Sequence, residues 1–221
     1  MQKFDTPSPI SAVLDIPAGR IRFIAADRTD TTVEVLPADP SKSRDVKVAE
    51  QTEVAYGDGV LRIEASAKNQ FLGSSGSIEV TVQLPAGSRV EAKAASAELR
   101  GVGRLGDVAF ESALSTVKLD EAGDVRLTTQ AGDVSVGRLN GPAEISTVKG
   151  DITIAEASKG TVVLRTQAGN VSVDAAAGVS ASLDAGTTYG RIHNALRNTE
   201  GTAELSIHAT TAYGDIVARS L

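Results

Sequence analysis

The chain holds two histidines and no cysteine, so thiolate nucleophiles, disulfides and Cys-based zinc sites are excluded at once. The histidines and their acidic neighbours are therefore the first candidates for chemistry. Asp184 and His208 hold equivalent places in neighbouring repeats, while His193 comes from the other arm of its repeat. A carboxylate beside an imidazole orients the ring and raises its basicity, the pairing of acid–base catalysis. No third group converges on this pair, so the expectation is an ion pair and no catalytic residue.

Three further acids, Asp133, Asp151 and Asp215, each follow a glycine at matching places. They bear a superficial likeness to calcium-binding β-roll repeats, which use a Gly-Gly-x-Gly-x-Asp nonapeptide. Here one glycine precedes each acid, and Asn170 and Arg191 fill the same column. A guanidinium cannot ligate a cation. No metal and no cofactor are expected.

Aromatic residues are 3% of the chain, and four apolar side chains stand out as contacts. Tyr189 and Tyr213 each precede a glycine at equivalent corners. They would either stack into a recognition patch for sugar or protein, or shield the last corners from water, and shielding is the reading adopted. Phe71 and Leu72 sit in the Gly/Ser-rich stretch Ser66 to Ser77. That stretch is either a binding finger or a plug over the end of the fold; the plug has the firmer physical motive, since stacked repeats need a cap. Phe71, Leu72, Asp184, Tyr189, His208 and Tyr213 are the candidate binding residues.

What must position them is a repeat. Leu127 to Val136, LTTQAGDVSV, returns as LRTQAGNVSV from Leu164 to Val173. Aligning on the residue after each Gly-Asp step gives the column Leu99, Val117, Val134, Ile152, Val171, Ile192 and Ile216, spaced by 17 to 19 residues and then by 21 and 24. Nine positions earlier stand Val90, Val108, Val125, Ala143, Val162, Leu183 and Ile207; seven earlier, Ala92, Phe110, Leu127, Ile145, Leu164, Ala185 and Ala209. Every member is apolar and the residues between them are mostly polar, the period of two of a strand with one buried face. A spacing of about 18 residues suits two short strands and two corners. A hydroxyl column, Ser112, Thr129, Thr147, Thr166, Thr187 and Thr211, is placed to satisfy corner backbone groups.

The expected fold is all-β: a β-helix-like β-solenoid of short two-stranded coils, with N-terminal strands and hairpins leading into it. Residues 1–87 form that opening region and residues 88–221 the solenoid, probable parts of one unit by the echo of Leu14-Asp15-Ile16-Pro17-Ala18-Gly19 in Val82-Gln83-Leu84-Pro85-Ala86-Gly87. Three strands are expected over residues 10–36, a loop over Leu36 to Ser41, a strand over Val46 to Tyr56 in preference to one helical turn at Ala49-Glu50-Gln51, and a hairpin turn at Tyr56-Gly57-Asp58-Gly59. A second loop is expected over Leu196 to Gly201.

The repeated T-x-x-G-D-[VI], at Thr129 to Val134 and Thr147 to Ile152, with Val80 to Gly87 before it, resembles the DUF4097 family, also labelled "putative adhesins". The resemblance spans nearly the whole chain. It implies a β-strand repeat and supplies no catalytic residues.

A net charge of −6 without a basic run argues against nucleic acid. No stretch reaches the roughly 20 apolar residues of a membrane span. Met1 to Val13 lacks a signal-peptide core, so a soluble, cytoplasmic, bacterial protein is expected, or an envelope-associated one if a leader has been removed. The outward column Glu91, Ala109, Arg126, Glu144, Val163, Asp184, His208 never sets two acids in adjacent coils, whereas polysaccharide-cleaving β-helices need paired carboxylates or a calcium-bridged cluster. The functional expectation is a non-enzymatic binding or scaffold protein with a protein or glycan partner. A polysaccharide-processing β-helix enzyme and a structural protein that self-assembles weakly through its solenoid ends are the alternatives.

Overall fold

The computed structural model describes residues 1–65, 76–198 and 202–221. In chain order the elements are β1 (Gln2–Asp5), β2 (Ser11–Ala26), β3 (Asp30–Pro37), α1 (Ser43–Gln51), β4 (Thr52–Gly57), β5 (Val60–Ala65), β6 (Ile78–Pro85), β7 (Arg89–Arg104), β8 (Val108–Ala122), β9 (Val125–Ala131), β10 (Val134–Leu139), β11 (Ala143–Ser146), β12 (Ile152–Ala157), β13 (Gly160–Arg165), β14 (Val171–Ala175), β15 (Ala181–Tyr189), β16 (Ile192–Ala195), β17 (Leu205–Tyr213) and β18 (Ile216–Ser220). Among the described residues the protein is all-β apart from one short helix, and its sheet is open.

Two arms joined by a corner make one rung, and rungs stack in parallel. On the first face Val108, Val125, Ala143 and Val162 are successive in-register partners. On the second face Val117, Val134, Ile152 and Val171 do the same. Val125, Ala143 and Val162 are all buried, so alternating apolar side chains from both faces fill one interior. The pairing runs without a break into the N-terminal part, where β2 matches β7 from Ser11 opposite Arg89 to Ile24 opposite Val102. Beyond β2, the arms β5 and β6 form the next rung.

The spatial order departs from chain order at the far end. The neighbours of β13 and β14 are β17 and β18, with β15 and β16 outside them. The inserted rung offers Leu205, Ile207, Ala209, Ile216 and Ala218, all buried. The displaced rung has Asn194 at the place of Ala218, and burying its carboxamide between two rungs would cost more than leaving it at the end. Asp174, itself buried, accepts two hydrogen bonds from the Arg219 guanidinium at 2.8 and 2.7 Å, which ties the insertion in register.

Three expectations for the N-terminal part change. Pro17-Ala18-Gly19 does not end a strand: β2 bends there as a corner and continues. Val46 to Gln51 belongs to α1, and the strand starts at Thr52. Helical spacing lets α1 bury Val48 over the β5–β6 rung, while Asp45 in its first turn accepts a hydrogen bond from the Ser77 N–H at 3.0 Å. The loop after β3 starts beyond Pro37, whose register partner is Ile78. The hairpin at Gly57 to Gly59 forms as expected, with Asp58 and Gly59 both at positive φ. The echo also has a different meaning: Val82 pairs with Phe23, and the partners of Leu14 are Ile63 and Ala92. Phe71 and Leu72 lie outside the described residues, as do residues 199–201 of the expected second loop.

Candidate functional site

At the corner between the two arms of a rung, in the rungs that carry Gly132, Gly150, Gly169 and Gly214, backbone from the neighbouring rung comes so close that side chains are excluded. A Cβ at Gly132 would stand 1.7 Å from the Ser115 carbonyl oxygen, and at Gly169 it would stand 2.0 Å from that of Gly150. Gly169 has no left-handed φ, so contact, and not torsion alone, demands glycine there. Hydroxyls complete the corner: Thr166 and Thr211 donate to the Gly150 and Gly169 carbonyls at 3.1 and 3.0 Å.

The acids after these glycines form a ladder. Asp133 accepts from the Asp151 N–H at 2.9 Å, Asp151 from the Asn170 N–H at 2.7 Å, Asn170 from the Asp215 N–H at 2.9 Å and Asp215 from the Arg191 N–H at 2.8 Å. The Arg191 guanidinium closes the ladder on Asp215, also at 2.8 Å. These hydrogen bonds, the side-chain one first, hold the Asp215 carboxyl below the ordinary carboxylate value and raise Arg191. Asn170 separates Asp151 from Asp215 and so avoids four carboxylates stacked in a row from Asp133 to Asp215. The corner acids are thus consumed in backbone satisfaction. Among the described residues, no group of three His, Cys, Asp or Glu side chains is arranged to hold a metal ion.

Tyr189 and Tyr213 are brought together. Their rings stack at 5.1 Å with planes 7° apart, yet they stay 64% and 61% exposed. They cover each other more than they cover the corner, so shielding accounts for only part of their placement. Asp184 and His208 also meet, Oδ2 to Nδ1 at 3.3 Å, on an exposed surface. The other neighbour of His208 is Val163, which contributes no polar group, so the pair has the makings of an ion pair and not of a relay.

A further site lies on the outer side of the first face. A shallow groove of about 440 Å³ runs over five rungs, from Arg89 to Val163, with Asp107, Asp124 and Arg126 among its walls. Some outer charges are paired across rungs, in the groove wall Glu144 with Arg165 at 3.1 Å and away from it Arg138 with Glu156 at 3.1 Å and Arg100 with Asp120 at 2.6 Å. Among the described residues, no hydrogen bond or ion pair engages the side chains of Arg89, Asp107, Asp124 or Arg126. The backbone makes room for the acids. A Cβ at Gly141 would lie 2.5 Å from Asp124 Oδ1, so glycine there leaves the carboxylate room that a larger residue would make it give up.

None of the expected site residues falls in this groove, although its floor, Ala109, Arg126, Glu144 and Val163, is the outward column legible in the sequence. Asp107 and Asp124 precede the register partners Val108 and Val125, so they are acids of consecutive rungs. The signal was present: Gly106-Asp107-Val108 and Gly123-Asp124-Val125 repeat the Gly-Asp-Val motif at the opposite corner.

An open stack of short parallel arms, aliphatic inside and charged outside, with one small helix, defines a β-strand repeat protein. The chain belongs to the Toastrack DUF4097 family, whose sequence model matches residues 13–220. Solved structures similar to it include a "putative adhesin" from Bacteroides fragilis, at 12% identity over 98% of this chain and 95% of that one, with a TM-score of 0.48. A "putative cell adhesion protein" from Clostridium sporogenes shows 11% identity over 100% and 98% of the two chains, with a TM-score of 0.42. A "putative lipid binding protein" from Parabacteroides distasonis shows 12% identity over 98% and 95%, with a TM-score of 0.43. No curated protein matches the chain. No helix among the described residues is long and apolar enough to cross a membrane.

Proposed function

We propose that this protein is a non-enzymatic binding scaffold, a β-solenoid with a turn of about 18 residues whose outer groove receives a protein or glycan partner. The observation that carries this reading is the uncommitted charge of Arg89, Asp107, Asp124 and Arg126 around an open concavity. Fixed strands set the spacing of these groups, and a ligand that engages them must offset the ordering of the Arg89 and Arg126 side chains. Capture from a native-host extract tests the reading, with wild type compared against the double variant Asp124→Asn, Arg126→Gln. A partner held by wild type and lost by the variant supports it; equal recovery removes the groove from the account.

A second reading, carbohydrate cleavage, draws on the placing of Asp107 and Asp124 on consecutive rungs along one groove, since glycoside hydrolysis works through a carboxyl pair. Release of reducing ends from polysaccharides, abolished by Asp124→Asn, would establish it and end the non-enzymatic reading.

A further inference from the structure

We propose that the groove binds an uncharged oligosaccharide laid lengthwise across the rungs; this rests on the binding role argued above. A guanidinium can only donate hydrogen bonds and an ionised carboxylate can only accept them. Beside one concavity the groove places Arg89 and Arg126 with Asp107 and Asp124, none of them in an ion pair or side-chain hydrogen bond among the described residues, and with Glu144, which is tied to Arg165 at 3.1 Å. Their natural complement is a group that donates and accepts together, and the hydroxyl is that group. A polyanionic chain would meet Arg89 and Arg126 well but would set its charge against Asp107 and Asp124. A polycationic chain would meet the reverse.

Shape and floor agree with this ligand. Five rungs at about 4.8 Å spacing make a track of about 20 Å, long enough for several sugar rings and too long for one. Val163 and Ala109, both half-buried, leave apolar patches on the track against which the C–H faces of sugar rings can lie. The missing side chain at Gly141 leaves room for the Asp124 carboxylate on the rim, and no partner occupies that carboxylate among the described residues for a ligand to displace.

The test is an NMR titration of the whole chain with cellohexaose, maltohexaose, hexagalacturonate and chitosan hexamer at millimolar concentration. At least one neutral hexamer should shift the amides of Ala109, Arg126 and Val163. Asp124→Asn and Arg126→Gln should each weaken that binding at least tenfold. Ile192→Lys, remote from the groove, should leave it unchanged, and well-dispersed spectra show that each variant is folded. Preference for the galacturonate or the chitosan hexamer overturns the uncharged ligand while leaving a binding groove. If no saccharide binds and a host protein is still captured through Asp124 and Arg126, the glycan inference fails and the scaffold reading stands. Hexamer binding followed by cleavage supports the glycan inference and overturns the non-enzymatic reading.

Discussion

The two ends of the stack solve the same problem differently. At the N-terminal end, the β5–β6 rung is followed by antiparallel partners, β4 on one face and β3 then β1 on the other. There α1 lays Val48 on the core, and the Phe4 and Tyr56 rings meet at 5.4 Å. At the other end, β15 and β16 have pairing partners on one side alone among the described residues. Ile192 occupies the column of Val171 and Ile216, yet it is 46% exposed where they are 1%. A rung with two neighbours is held by two ladders, and a terminal rung by one. Stacked repeats derive their stability from such interfaces, so the β15–β16 rung is the first place expected to open. The contrast also bears on self-assembly: one end is already covered, so association through the ends favours a closed pair over a growing filament.

The sharpest way to break the comparison is to place one clash at both sites. A Cβ at Gly169 would lie 2.0 Å from the Gly150 carbonyl oxygen, inside the stack, and one at Gly190 would lie 1.9 Å from that of Gly214, on the terminal rung. Neither oxygen can move without moving a strand. Gly169→Ala is expected to cost on the order of 3 kcal/mol or more, because the interior rung cannot shift away. Gly190→Ala should cost about 1 kcal/mol or less globally and appear as local fraying, since its rung opens without breaking a second interface. Urea denaturation with amide exchange measures both. Equal losses would mean that the end rung is as firmly held as the middle.

A smaller effect sharpens the same contrast through packing. Ile63 is completely buried beneath the N-terminal cover, so Ile63→Ala should cost about 2–5 kcal/mol. Ile192→Ala removes a side chain that still meets water, and it should cost less than about 1 kcal/mol. Thermal melts of the two variants check this. A cost at Ile192 matching that at Ile63 would show that the end is covered in solution, and light scattering at rising concentration would then identify a second copy as the cover.

Why the middle was legible and the ends were not follows from this contrast. Between Val90 and Val173, chain order and spatial order coincide, so columns such as Val108, Val125, Ala143 and Val162 could be read by alignment alone. After Val173 the chain order of the columns placed Asp184 next to Val163, whereas His208 lies between them. Their adjacency survived because the exchange swaps two neighbours. Only Asn194 hinted at it, as one polar residue in an apolar column. The helix was hidden because Val46 to Tyr56 carries two periods back to back, and Val48 is chosen by what it must cover rather than by local propensity. The groove was hidden in a different way: corner acids look alike in sequence, and whether Asp124 or Asp151 is spent on backbone hydrogen bonds depends on which corner it occupies.

The smallest expected effect is electrostatic and reads the ends through acid. At the covered end Asp30 accepts hydrogen bonds from Arg28 and Lys3, which lower its pKa from 3.8 to about 2. At the open end the Arg191 side chain and N–H hold Asp215 below 3.8. Both folded values lie below the unfolded one, so the stabilisation is present above 3.8 and is lost as pH falls through each folded value. Both carboxylates still meet water, their side chains being 24% and 37% exposed, and salt will screen the effect further. Below pH 3.8, the Arg191 amide should therefore shift as Asp215 titrates and should lose exchange protection. The β1–β3 pairing at Lys3 should persist until near pH 2, because Asp30 has two cationic partners and β1 lies against a covered core. An Arg191 amide that titrates at or above 3.8 would mean that the carboxylate does not hold it. If β1 instead loosened before β16, the ranking of the two ends would be reversed, and the rung with one neighbour would not be the weaker.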